Sequence, residues 1–311
     1  MTCNGRGIVA KDGKKDKKAR DSEGQVRTRR DISWLDEPVD TLRATPGFLL
    51  SSVDTSATPG FNGQKREGTD ALVAGESTFS HLQEMFFANS RYGDKRKVLL
   101  ILQAMDTAGK GGIVRHVVGA VDPQGISHVA FKAPTAEERR HDFLWRIRKQ
   151  LPTAGIIGVF DRSHYEDVLI ARVRELAPSK VINERYEQIN EFERKVADND
   201  SAIIKVMLHI SADEQKRRLA QRLERRDKYW KYDPVDVDER MLWAGYQEAY
   251  QLAIERTSTA GAPWYVIPAD HKWYARLAVQ HLLIDALKRM DLDWPPATFD
   301  IEEEKRRLAA S

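Results

Sequence analysis

Between Lys97 and Val118 the chain passes from an apolar, strand-forming octet straight into a glycine loop and then into helical spacing. That order constrains the fold more than any other stretch. Strand 97–104 leads into Ala104-Met105-Asp106-Thr107-Ala108-Gly109-Lys110-Gly111-Gly112, and Ile113 to Val118 repeats its apolar residues every three or four positions. Such a loop suits an anion: glycines let backbone N–H groups close around it, the helix start adds partial positive charge, and a lysine adds a full one. Lys110 is the candidate cation, with Ala108, Gly109, Gly111 and Gly112 as the cradle. The match to the general phosphate loop G-x-x-x-x-G-K-[ST] is imperfect, because Ala104 replaces the first glycine and Gly111 stands where a hydroxyl would ligate Mg²⁺. Metal ligands must then come from elsewhere, and Asp106 inside the loop is the hard-oxygen candidate. Taken alone, the loop also reads as a plain turn between strand and helix.

Downstream, short Val- and Ile-rich runs alternate with longer amphipathic segments, the βα alternation of a parallel sheet. The pattern predicts strands over 97–104, 126–131, 155–160, 202–210 and 263–267, and helices over 78–88, 238–256 and 271–290. Thr135 with Glu138, and Ser211 with Glu214, form capping boxes that mark helix starts. The expected architecture is a P-loop kinase-type three-layer α/β/α domain with a central parallel sheet of about five strands and a helical lid.

The third strand ends in Asp161-Arg162-Ser163-His164-Tyr165-Glu166-Asp167, an apolar run followed by an acid, which is the Walker B pattern. In a parallel sheet the carboxyl ends of the strands line one crevice, so Asp161 and the Lys110 loop are expected to open onto the same cleft. Asp106 and Asp161 could share Mg²⁺ there, and Arg162 could grip a phosphate with its planar fork. His164 reads as a packing or capping residue. From Lys216 to Lys231 eight Lys or Arg face two acids, a net of +6, twice the formal +3 of the whole chain. This basic helix, stopped by Asp233-Pro234, reads as a lid over phosphates within 212–240. Lys132 lies in a second cationic stretch.

The overall balance of 50 Lys and Arg against 47 Asp and Glu excludes a bulk polycation, so any interest in anions is local. Residues 1–30 carry ten basic and four acidic side chains and no apolar signal core, so 1–40 reads as a disordered basic tail and 298–311 as a charged one. A single cysteine, Cys3, fits a reducing cytoplasm. No apolar run approaches the roughly 18 residues of a membrane span, and a soluble protein is expected.

Together these pieces resemble the polyphosphate kinase 2 family, P-loop enzymes that move phosphoryl groups between inorganic polyphosphate and nucleotides. The resemblance rests on Leu102-Gln103-Ala104-Met105-Asp106 with Ala108-Gly109-Lys110, Asp122-Pro123-Gln124-Gly125, Phe131-Lys132-Ala133-Pro134, His141-Asp142-Phe143-Leu144-Trp145-Arg146, Arg162 to Asp167, and Lys228-Tyr229-Trp230-Lys231, over about 42–297. It implies a catalytic domain over 41–297, with Asp106, Lys110, Asp161 and Arg162 as the phosphate and magnesium site. On the lid it implies Arg225, Arg226, Lys228 and Lys231. Gly111 and Ile113 depart from more polar residues often found after the lysine, and Asp161 occupies a position where related sequences can carry Asn. The implied partners are polyphosphate and nucleotides, with self-association by resemblance and neither nucleic acid nor membrane. Two rival functions fit the residues: an ATP-dependent small-molecule kinase on the same fold, and a non-catalytic polyanion-binding module.

Overall fold

The computed structural model describes residues 34–311, so the disordered tail expected at the start of the chain lies outside the described residues over 1–33. Five strands, β1 (Lys97–Ala104), β2 (Ile126–Ala130), β3 (Ile157–Asp161), β4 (Ser201–His209) and β5 (Trp264–Pro268), form one sheet in the order β2-β3-β1-β4-β5, with every pairing parallel. Each strand lies within two residues of its sequence-derived position. β1 is central, paired from Val98↔Ile157 on one side and Lys97↔Ser201 on the other.

Eleven helices accompany the sheet among the described residues: α1 (Pro38–Thr41), α2 (Lys65–Ser90), α3 (Lys110–His116), α4 (Trp145–Arg148), α5 (Ile170–Val173), α6 (Ser179–Ala197), α7 (Ala212–Glu224), α8 (Val235–Met241), α9 (Trp243–Thr257), α10 (Lys272–Lys288) and α11 (Ile301–Ala309). Side chains alternate along a strand, and β1 uses both faces. Val98, Leu100 and Leu102 join a core with α2, α3 and α10, whereas Leu99 and Ile101 join a second core with α6 and α9. The molecule is the three-layer α/β/α sandwich that the alternation predicts.

Several boundaries differ from the sequence reading. α2 starts thirteen residues before the predicted 78 because Gly68 and Gly75, poor helix formers, lie under Trp273 and Gln280 of α10, where an added Cβ would come within 2.1 and 2.3 Å. The basic helix is not continuous to Lys231. α7 ends at Glu224, Arg225 is extended, and Arg226–Lys231 is a 3₁₀ turn. Pro234 does not stop a helix but opens α8, since its fixed φ suits a helix start. The helix predicted over 238–256 is broken at Leu242 into α8 and α9. Thr135 and Glu138 do exchange capping bonds, at 2.7 and 3.2 Å, but over a single 3₁₀ turn. Residues 34–40, grouped with the tail on composition, are packed: the Trp34 ring meets Phe61 at 5.3 Å and Tyr274 at 5.9 Å. The charged carboxyl-terminal segment holds α11, capped by Asp300 and laced by Glu302–Lys305, Glu303–Arg306 and Glu304–Arg307 pairs. Among the described residues no helix is long and apolar enough to cross a membrane.

Candidate active site

Because all five strands are parallel, the loops leaving β1, β3 and β4 meet at one end of the sheet, at the central strand where the chain changes direction. The loop after β1 turns sharply, with Thr107 at φ 67° and Gly109 at φ 125°. The Gly109 conformation is one that side chains rarely adopt, which is why a glycine precedes Lys110. The Gly109 carbonyl takes the first helical bonds, from the Gly112 and Ile113 amides at 2.8 and 3.1 Å, so the amides of Lys110 and Gly111 lie ahead of the helix's own ladder. Lys110 is nearly buried and folds back to donate to the Ala104 carbonyl at 3.2 Å. The Thr107 hydroxyl is buried without a partner among the described residues.

Arg162 leaves β3 with φ 63°, and its guanidinium reaches across to Asp106 at 3.0 Å. Burial works against the Arg162 charge, but the carboxylates of Glu166 and Asp106 more than offset this and raise its pKa. Glu166 is pushed above the usual carboxylate range, by burial first and by Asp106 in addition, against the pull of Arg162 and Lys110.

Asp106, Lys110, Asp161 and Arg162, drawn from two strand ends, line a single cleft of about 520 Å³ with Ala108, Gly109, Gly111 and Gly112. Ten Lys or Arg and two Asp face it, so positive charge is concentrated here in a nearly neutral chain. Arg225, just after α7, and Lys228 and Lys231 of the 3₁₀ turn that follows also line the cleft. Of the sequence-derived candidates, Lys132 and Arg226 do not line this cleft. Lys132 follows the edge strand β2, two strands from β1, and its carbonyl accepts from Arg146 at 2.7 Å. Arg226 opens the 3₁₀ turn after the extended Arg225, and its exposed side chain lies outside the cleft lining.

Five cations of the cleft were not singled out from the sequence: Arg115, Lys272 and Arg276, and Arg218 and Arg222 within the basic stretch 216–231. Lys272 and Arg276, four apart on α10, share a helix face and could have been found by that spacing. Arg218 and Arg222 are likewise four apart on α7, but nothing in that spacing records what Arg218 binds. It is buried, donating to the Thr107 and Ala108 carbonyls at 3.0 and 2.7 Å and to those of Ala269 and Asp270 at 2.6 and 3.0 Å, while Gln215 donates to the Asp106 carbonyl at 3.2 Å. Thus α7 clamps the back of the glycine loop with its buried face. A second, smaller pocket of about 220 Å³ shares Asp106 and Arg162 with the cleft and mixes aliphatic side chains with the acids Glu166, Asp233, Asp236 and Glu239 and the rings of Tyr246 and Tyr250.

The donor set limits any metal. Among the described residues no cluster of three or more His, Cys, Asp or Glu could cage an ion. Two carboxylates in a cleft faced by ten basic side chains nevertheless fit Mg²⁺, which binds through one or two carboxylates plus waters and substrate phosphates.

Comparison with known proteins decides the family, since the family model described as Polyphosphate kinase 2 matches residues 64–295. The chain belongs to the polyphosphate kinase 2 family. It is a polyphosphate:nucleotide phosphotransferase. It is 44% identical over 248 residues, covering 80% of this chain and 91% of the relative, to an AMP/ADP-polyphosphate phosphotransferase of Meiothermus ruber. To an ADP-polyphosphate phosphotransferase of Rhodopseudomonas palustris it is 39% identical, over 70% of this chain and 78% of that one. The crystal structure of a polyphosphate kinase 2 from Arthrobacter aurescens superposes with a TM-score of 0.89 at 52% identity, covering 90% of this chain and 99% of the other.

Proposed function

We propose that the enzyme carries out Mg²⁺-dependent phosphoryl transfer between inorganic polyphosphate and nucleoside mono- or diphosphates, with Asp106, Lys110, Asp161 and Arg162 at its centre. The observation that carries this reading is the convergence of those four side chains on one cleft faced by ten basic residues. A polyphosphate chain lies in the basic cleft, its reacting phosphorus over the glycine loop. The acceptor oxygen arrives from the side of the smaller pocket, which shares only Asp106 and Arg162 with the cleft.

Phosphoryl transfer asks the protein for position and charge neutralisation more than for covalent chemistry. Lys110 exchanges its bond to the Ala104 carbonyl for phosphate oxygens, and Arg162 exchanges Asp106 for the transferring group. Arg225, Lys228 and Lys231 close the lid side and exclude water. Asp106 and Asp161 would hold the magnesium. When bound, that ion supplies further neutralisation of the phosphate charge. The resemblance to the family supports a homo-oligomer, and the single cysteine supports a cytoplasmic location.

Purified protein with Mg²⁺ and polyphosphate, offered AMP, ADP, GMP and GDP separately, tests the reading when the products are resolved by chromatography. ATP serves as the competing donor. Lys110→Ala is expected to lower kcat by about 10²-fold or more. Near-full activity in that variant, or preference for ATP over polyphosphate, would overturn it.

A further inference from the structure

On the far side of the β3 turn from the cleft lies a charged cluster with no access to solvent. Lys205, at the middle of β4, is wholly buried and donates to three acceptors: Glu193 Oε2 of α6 at 2.6 Å, the Thr257 carbonyl at 2.6 Å and the Tyr165 hydroxyl at 3.0 Å. The other Glu193 oxygen accepts from the Tyr165 hydroxyl at 2.8 Å and lies 3.2 Å from His164 Nε2. The Trp264 indole closes the cluster through the Thr257 hydroxyl at 2.8 Å. Three donors of an ammonium and both oxygens of a carboxylate are thus satisfied, the condition under which a buried ion pair holds a geometry instead of disrupting it.

Two members of the cluster follow Arg162 by two and three residues. Arg162 has a backbone conformation that non-glycine residues adopt only where their surroundings over-determine it. Its own amide is fixed to the Leu102 carbonyl at 3.0 Å, and Gln103, with its amide turned to the orientation that satisfies both neighbours, accepts from Ser163 N at 3.1 Å and donates to Glu166 Oε1 at 3.0 Å. His164 and Tyr165 then tie the same turn down to Glu193 and Lys205. We infer that Lys205, Glu193, His164 and Tyr165 are positioning residues that hold the Arg162 turn so that its guanidinium meets the transferring phosphoryl group. The inference rests on the role given to Arg162 above.

The test is a double-mutant cycle on the full chain. Tyr165→Phe removes the hydroxyl that links the turn to the ion pair and keeps the ring. It is expected to lower kcat by about tenfold to 10²-fold, the cost of misplacing a group by about 1 Å, with KM for polyphosphate within about twofold. In an Arg162→Ala background the same change is expected to alter kcat by less than about twofold, because coupled residues are not additive. A paired Lys205→Met, Glu193→Leu replacement removes both charges together, which proteins tolerate better than removing one. It is expected to melt near the wild type while losing kcat in the same way. Wild-type kcat in both variants, an equal loss in the Arg162→Ala background, or failure of both variants to fold would overturn the inference. Arg162→Ala alone judges the reading beneath it: if that variant is fully active, the assignment of the site fails, whereas loss there with a silent Tyr165→Phe sinks only the positioning role.

Discussion

Replacing Arg218 by lysine keeps the charge and most of the volume, so its consequence isolates what the planar fork does. The guanidinium serves three sides at once: Nε pairs with Glu214 at 2.5 Å, Nη1 with the Thr107 and Ala108 carbonyls, and Nη2 with those of Ala269 and Asp270. An ammonium is a point donor and can satisfy one side. At least two buried carbonyls then lose their partner, at about 1–3 kcal/mol each. Some relaxation follows, and we expect a net loss of about 2–4 kcal/mol, a large share of the roughly 5–15 kcal/mol typical of a domain. Glu214 keeps its bond to Arg217, so it adds little to this cost. The loop that carries Lys110 loses its rear support, and kcat should fall together with stability. Urea unfolding followed by tryptophan fluorescence measures the first and the phosphotransfer assay the second. Arg225→Lys is the stability control: that residue is 60% exposed and, among the described residues, pairs with Asp227 alone, so its urea midpoint should stay at that of the wild type. An Arg218→Lys variant within about 0.5 kcal/mol of the wild type would refute the clamp.

Three further outcomes are expected. Gly109→Ala meets no atom closer than Arg218 Nη1 at 4.0 Å, so its penalty is backbone strain at φ 125°, about 1–3 kcal/mol with loss of activity; Gly111→Ala, in open space on the first turn of α3, should be neutral or slightly stabilising by melting temperature. His209 is held neutral by burial, its pKa lowered to about 4. Between pH 6.5 and 4 the unfolded chain therefore binds a proton that the folded one refuses, and stability should fall by about 3 kcal/mol as pH drops through that window, with no contribution from this group above it. A His209→Asn protein with an unchanged pH dependence of its urea midpoint would contradict this. The apparent KM for polyphosphate should rise by about 10²-fold between 50 and 200 mM salt if roughly five phosphates are engaged, by analogy with counterion release; a KM independent of salt would remove the basic cleft from binding.

All five strands, the phosphate loop and the acid at the end of β3 could be read from local pattern, because a buried strand needs an unbroken apolar run and an anion loop needs glycines beside a lysine. The family was legible for the same reason, its motifs being short and contiguous. Arg218 looked like one more cation on a solvated helix. Only packing of α7 against the loop makes it a clamp, since its partners are backbone carbonyls 51 to 111 residues away, which no side-chain pattern records. Lys205 did carry a signal, a charge within the buried strand predicted over 202–210, but its partner Glu193 lies on a helix whose facing side is set by the sheet beneath it. Lys132 and Arg226 had the right chemistry and neighbours in sequence. An edge strand and the break in the helix after Glu224 place them elsewhere, because direction, unlike charge, belongs to the assembled backbone.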